Sequence, residues 1–469
     1  MSCGAPAGSL YRPGGRLARL GDWLRDHAGL IRGLQWLVVL VYAVLLVVPA
    51  MLPLPDDTAH VWNHITVLAE FAFWGIWWPF VLLSMLLFGR LWCGVLCPEG
   101  ALAEWAARRG RGRPIPRWMR WGGWPFVAFV CTTVYGQMVS VYQYPKAALL
   151  VLGGSTVAAV AVGYWYTRGK RAWCRYLCPV NGVFALLSKL APVHFRVNEA
   201  AWQNSVANKR TIVIKAVDCA PLQPISQMQG GSGCHMCGRC SSHRDAVTLS
   251  LRSPSDEIVR VGAREADGWQ TLLIVFGLLG VAIGAFHWSA SPWFVAIKQA
   301  LAEWLVEREW FWALDSDAPW WLFTHYPEKN DVFSWLDGSL LLAYIGATAL
   351  VLGTVSSLLL ALAVRSGGRW QWQRLHHLAQ ALIPLAGCGV FLGLTAVTLT
   401  LLRGEGVYWH WINDLRLALL LAASLWSLWL AQGIVRQWRG GWRMLPPLLA
   451  FVAVLAWVDS AWGWLFWWW

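Results

Sequence analysis

Long apolar runs separated by short charged stretches organise most of this chain. Runs near 34–54, 68–89, 122–142, 147–167, 269–288, 338–364, 378–402, 414–434 and 445–466 are each close to the roughly 20 residues that carry a helix across a bilayer. Nine such runs predict a helical framework, because backbone in lipid must satisfy its own hydrogen bonds and a helix does so. Residues 169–268 interrupt the pattern as the longest polar stretch.

Composition agrees. Of 469 residues, 57% are hydrophobic and 13% charged, where soluble domains carry about a quarter charged residues. Arg12, Arg16, Arg19, Arg25 and Arg32 lead into the first run, which therefore reads as a retained span and not as a cleaved signal peptide. Arg90, Arg108, Arg109, Arg111, Arg113, Arg117 and Arg120 follow the second run, and Arg168, Lys170, Arg171 and Arg175 follow the fourth. The positive-inside rule makes these loops, and the N-terminus, cytoplasmic. The net charge of +13 is explained by this asymmetry. Because the basic residues flank spans and form no single stripe, nucleic acid is not an expected partner.

The longest opposite loop, 289–337, carries Glu303, Glu307, Glu309, Asp315, Asp317, Glu328, Asp331 and Asp337 against Lys298, Arg308 and Lys329. It is expected to be periplasmic, with an interfacial helix over 293–312. Trp467, Trp468 and Trp469 fit an aromatic belt in contact with membrane lipid.

Eight of the 11 cysteines fall in loops assigned to the cytoplasm, where thiols stay reduced, so metal or redox chemistry is expected before disulfides. Four belong to two matching nonapeptides, Arg90–Pro98 and Arg171–Pro179, both reading R-x-W-C-x-x-L-C-P. Each follows a pair of runs, so the segment is a tandem repeat related by an axis along the membrane normal. Each copy offers thiols at i and i+4, a spacing that shares a helix face, followed by a helix-breaking proline. Brought together, Cys93, Cys97, Cys174 and Cys178 supply the four thiolates of a [4Fe-4S] cluster, a redox dithiol pair or another tetrahedral metal site.

The polar stretch contains Cys219, then Cys234, Cys237 and Cys240 as C-x-x-C-x-x-C, the core of bacterial [4Fe-4S] ligation. The fourth cysteine of that pattern, with its proline, is replaced here by Arg244 and Asp245. Cys219 is the expected substitute, returned by a flexible loop with Gly230, Gly231 and Gly233. His235 or His243 is the alternative, and a zinc site is the competing metal reading. Cys3, Cys131 and Cys388 read as non-ligands. No H-E-x-x-H motif, Walker loop or hydrolase triad is present, which leaves no recognisable hydrolase or transferase chemistry.

Paired C-x-x-x-C-P motifs after membrane hairpins, followed by C-x-x-C-x-x-C, resemble the membrane polyferredoxins of the NapH and NosR type, which include the cbb3-oxidase accessory protein CcoG. The likeness covers roughly residues 30–260. It implies electron transfer from the quinol pool or a cytoplasmic donor to a periplasmic reductase, as in a quinol-dehydrogenase subunit, or to a maturation pathway that reduces a metal ion or thiol. A zinc-stabilised membrane scaffold is the non-redox alternative. Two departures stand out: one ferredoxin motif where many members have two, and about five additional C-terminal spans.

In that C-terminal half His287 and His410 form the plausible axial pair for a haem b, or mark a quinone vicinity, whereas His376 and His377 lie on the other side. Asp459, inside the last run, is a costly intramembrane carboxylate. The chain is thus expected to be an all-α polytopic protein of the bacterial inner membrane, with about nine transmembrane helices and a small cytoplasmic ferredoxin-like iron-sulfur insert. Its parts are a basic segment 1–33, a tandem repeat 34–179, the insert 180–268 and a membrane domain 269–469.

Overall fold

A computed structural model describes residues 15–56, 58–207 and 217–469; Cys3 and Arg12 lie outside the described residues. Eight helices among the described residues are long and apolar enough to cross a membrane. An amphipathic helix α1 (Arg16–Asp26) leads into α2 (Ala28–Met51), and α3 is Ile65–Phe88. After the first cysteine motif come α4 (Pro98–Arg109), α5 (Trp124–Met138) and α6 (Pro145–Trp165). The polar insert carries strands β1 (Val193–Val197) and β2 (Val247–Leu251). The remainder is α7 (Gly268–His287), α8 (Pro292–Glu307), α9 (Trp335–Ser366), α10 (Trp372–Gly404), α11 (Ile412–Val435) and α12 (Gly441–Trp468).

The ninth expected span, 122–142, forms only the 15-residue α5. It still reaches both ends of α7. Trp121 meets Trp269 edge-on at one end, and Trp288 Nε1 donates to Gln137 Oε1 at the other. Pro125 opens the helix in its first turn, and a turn at Ser140 (φ 51°) closes it. A helix of this length rises only about 22 Å, and the turn 139–144 covers the remaining depth.

Within the membrane the helices answer their own backbone needs. In α3, Pro79 has no N–H to give the carbonyl of Gly75, and the Thr398 hydroxyl of α10 donates to that oxygen instead at 2.9 Å. Small residues allow close crossings: a Cβ on Gly163 of α6 would stand 2.3 Å from the Ala103 carbonyl oxygen of α4. On the C-terminal side α9 packs along both α7 and α12, while α10 runs against α3 and α11.

The insert is organised by the antiparallel pair β1–β2, with Phe195 opposite Leu249, over an apolar core of Phe195, Met228, Met236, Val247 and Leu249. The N-terminal α1 clamps it: Asp22 accepts from the Ser241 and Ser242 hydroxyls, and Arg25 donates to the Ser241 carbonyl. The glycine loop expected to be flexible is tied down. Buried Glu257 accepts from Gly231 N at 2.7 Å and Ser232 N, and pairs with Arg252.

At the opposite end of the bundle, α8 exposes Trp293, Val295, Ile297 and Trp304, as a helix lying in an interface does. Tyr144, between α5 and α6, stacks on Tyr326 and donates to Asp331 at 2.7 Å, which ties that turn to the acidic loop.

Candidate metal centres

The first motif begins where α3 ends, at Gly89 with φ 62°. A helical turn over Trp92–Leu96 holds Cys93, but Cys97 has left it, with φ −65° and ψ 118°. Pro98 then opens α4 at its first position, where its missing N–H costs nothing. The same division recurs in the second copy: Cys174 lies in the short helix Ala172–Tyr176 and Cys178 beyond it. The two thiols of a pair therefore do not share a helix face; Pro98 starts the next helix in the first copy, whereas Pro179 lies in a turn before the helix Asn181–Leu187 in the second.

The copies are cross-linked by their own arginines. Arg90 donates to Asn181 Oδ1 at 2.7 Å, just beyond the second motif. Arg171 donates to the carbonyl of Cys93 in the first. Trp173 Nε1 donates to Glu99 at 3.2 Å. As a result Cys93, Cys97, Cys174 and Cys178 line one cavity of about 240 Å³, which continues among Tyr42, Trp77, Phe129 and Phe286.

Burial pushes the Cys97 and Cys178 thiols well up and Cys174 up to about 12, and the neighbouring thiolates add to the effect. Arg171 and Arg90 pull Cys174 down against this. Four buried anions without a cation among them would repel strongly, so this thiol set is suited to a positively charged occupant. Burial also pushes Glu99 up, opposed by hydrogen bonds from Ser155, Trp173 and Thr156.

The second group lies in the insert. Cys219, Cys234, Cys237 and Cys240 all line one small cavity, together with His235. Burial, reinforced by the neighbouring Cys237, pushes Cys234 up to about 12, and Cys240 is driven well up by burial and the three other thiols. His235 is 1% exposed with neither ring nitrogen partnered. Burial and then Arg90, Arg171 and Arg175 hold it far below the usual histidine range. His243 stands instead against Trp202. Arg244 covers the same indole and donates to Ser205, so the positions that replace the usual Cys-Pro turn away from the cavity. Cys219→Ala is expected to abolish metal loading of the insert; iron retained at the wild-type level in that variant would show that a histidine or water completes the site.

Among the described residues, no three His, Cys, Asp or Glu side chains converge as a single metal ion requires; the thiols ring their cavities. Orphaned donors accompany both rings: Arg171 Nη2, Arg90 Nε and the His235 nitrogens are buried without partners. Such groups are rare unless something accepts from them, and inorganic sulfide is an acceptor of that kind. Four thiols and unpartnered donors are the chemistry that a [4Fe-4S] cluster requires of its protein.

The first motif and the insert meet through backbone. A Cβ on Gly94 would lie 1.9 Å from the His235 carbonyl oxygen and 3.0 Å from Cys237 N. Arg171, 1% exposed, interacts electrostatically with Cys174 and Cys97 of one group and Cys237 of the other. Its Nε binds Glu104 Oε2 at 2.9 Å, and Glu104 Oε1 accepts from Arg108 and Arg239, each at 2.6 Å. Burial pushes Glu104 up, but Arg171 and Arg239 outweigh it and hold the carboxylate at about 2.

Arg90 and Arg171 stand out in the sequence as the first residues of the matched motifs and as orientation charges, without a role at the thiols, and Gly94, Glu99, Glu104 and Glu257 carry no separate signal. His287 and His410 are not brought together: His287 is buried against Trp462 and Trp469, His410 is exposed, and no ring contact or hydrogen bond joins them. Cys131 is exposed and Cys388 half-buried within α10. Asp459 accepts from the Ser424 hydroxyl of α11 at 2.8 Å.

A family model for a 4Fe-4S binding domain matches residues 71–116 and 150–198. The chain is similar, at 23% identity over 49% of its length and 69% of the other, to YccM of Escherichia coli (strain K12), which carries the provisional description of an electron transport protein. No solved structure matches. Each matched segment encloses one motif, Cys93 and Cys97 in the first and Cys174 and Cys178 in the second, so the chain carries a 4Fe-4S binding domain on a helical framework with eight candidate membrane spans.

Proposed function

We propose that this protein transfers electrons in a bacterial cytoplasmic membrane through two [4Fe-4S] clusters, one held by Cys93, Cys97, Cys174 and Cys178 and one by Cys219, Cys234, Cys237 and Cys240. One observation carries the reading: eight thiols line two cavities, four in each, and the first motif and the insert's cysteine run approach each other at Gly94 and His235. When bound, the clusters supply reversible one-electron storage, which no side chain here offers. The chain's own residues fix the spacing, exclude water and place cations beside the thiols. The match to a 4Fe-4S binding domain supports the first site, and the description of YccM supports the role in electron transport.

Electrons are proposed to enter from quinol in the first cavity. Its walls are apolar and aromatic, it reaches from the thiols into the membrane beside Tyr42, Trp77 and Phe129, and Glu99 borders it as a buried carboxyl able to take a proton. The insert is proposed to face the cytoplasm, and the acceptor is a further redox subunit or a periplasmic reductase, as in the NapH and NosR type.

Anaerobically purified protein is expected to be brown, with about eight iron and eight sulfide per chain and two paramagnetic signals after reduction. A quinol analogue is expected to reduce the signal lost in Cys174→Ser before the other. Colourless protein containing zinc would overturn the reading, and reduction only by soluble donors would remove the quinol step.

A further inference from the structure

We propose that Arg171, held in position by Glu104, is a cation shared by both cluster sites, raising their reduction potentials together; this rests on the two-cluster reading above. The guanidinium is almost completely buried; Arg171 bonds the Cys93 carbonyl of one group and, through its backbone N–H, the Ala220 carbonyl beside Cys219 of the other, and its partner Glu104 lines a cavity with Cys237 and Arg239. The three nitrogens of the Arg171 guanidinium are used unequally. Nη1 donates to the Cys93 carbonyl, Nε to Glu104, and Nη2 has no partner at all. A buried donor left idle forfeits its hydration without return, so an acceptor is expected at Nη2.

Reduction of either site adds one negative charge, which a nearby buried cation stabilises more than it would in water. Removal of that cation therefore lowers both potentials. Arginine is suited to the task because it stays protonated whichever site holds the electron. Electron passage between the sites makes and breaks no bond at Arg171 and moves no proton from it. Glu104 works in the opposite sense, as the buried anion that partly offsets Arg171 while fixing where it stands.

The test is a redox titration of both paramagnetic signals, with iron counted in every sample. Arg171→Gln is expected to shift both potentials downward, Arg171→Lys to recover most of the shift, and Glu104→Gln to shift both upward. A positioning role without electrostatic reach moves neither potential while iron is kept, and that result overturns the proposal. So does a shift confined to one signal, or a shift of the same sign in Arg171→Gln and Glu104→Gln. Should Arg171→Gln lose iron, the Glu104→Gln and Arg171→Lys proteins decide by the same signs. Wild-type protein without two clusters would instead defeat the reading on which the proposal stands.

Discussion

Cys174→Ser is expected to remove about four of about eight irons per chain, and Cys93→Ser is expected to remove the same four. The two residues come from different copies of the motif, yet they line one cavity with Cys97 and Cys178. Two independent sites would each lose their own iron, and the double variant would lose the sum. A shared site loses everything at the first substitution, so Cys93→Ser/Cys174→Ser is expected to match either single variant. Buried sites of this kind tolerate the loss poorly, because three thiolates left in low dielectric no longer have a complete cationic partner. The signal of the insert should persist in all three proteins. Cys131→Ser and Cys388→Ser, at thiols outside both cavities, serve as controls with full iron. Unchanged iron in both single variants would reject the shared site.

The parts of this molecule that follow local rules were legible in the sequence. Apolar run length marked the spans, and the matched motifs marked the thiols. Helix length failed once, at 122–142, because hydropathy registers apolar content and not where Pro125 and the Ser140 turn begin and end a helix. The i and i+4 spacing likewise misled. Cys93 and Cys97 are brought to one cavity by a helix that stops between them, a feature set by Pro98 at the start of α4. Cys219, singled out because the usual fourth cysteine is missing, does line the insert's cavity, although by a loop anchored on Glu257 and not a loose one. What stayed hidden was pairing between distant segments. The matched motif marks Arg171, but nothing local to it distinguishes a topology-setting charge from a guanidinium that bonds the other motif copy and Glu104. Only the crossing of the two motif copies, and the docking of the insert beneath them, gives it Glu104, Cys93 and Cys237 as neighbours.

Gly94→Ala tests that docking directly. Gly94 sits in the helical turn of the first motif without a positive φ, so alanine suits its backbone. On propensity alone the change would stabilise by up to about 1 kcal/mol. The added Cβ, however, would come within 1.9 Å of the His235 carbonyl oxygen, a backbone atom that no rotamer change can move. The turn is also pinned from behind, where Gln35 Nε2 donates to the Gly94 carbonyl at 2.8 Å. The insert must therefore shift away from the first cavity, at a cost of roughly 1–3 kcal/mol or more. Stability is expected to fall, with Tm lowered by several degrees. Magnetic interaction between the two reduced clusters is expected to weaken, and electron passage from the first site to the second to slow, while iron in the first site remains. Gly346→Ala, inside α9 where an added Cβ meets nothing within 4 Å, should leave the inter-cluster interaction at its wild-type value and stability at or above it. Gly94→Ala protein that is more stable than wild type and keeps its inter-cluster interaction would show that the motif and the insert do not touch.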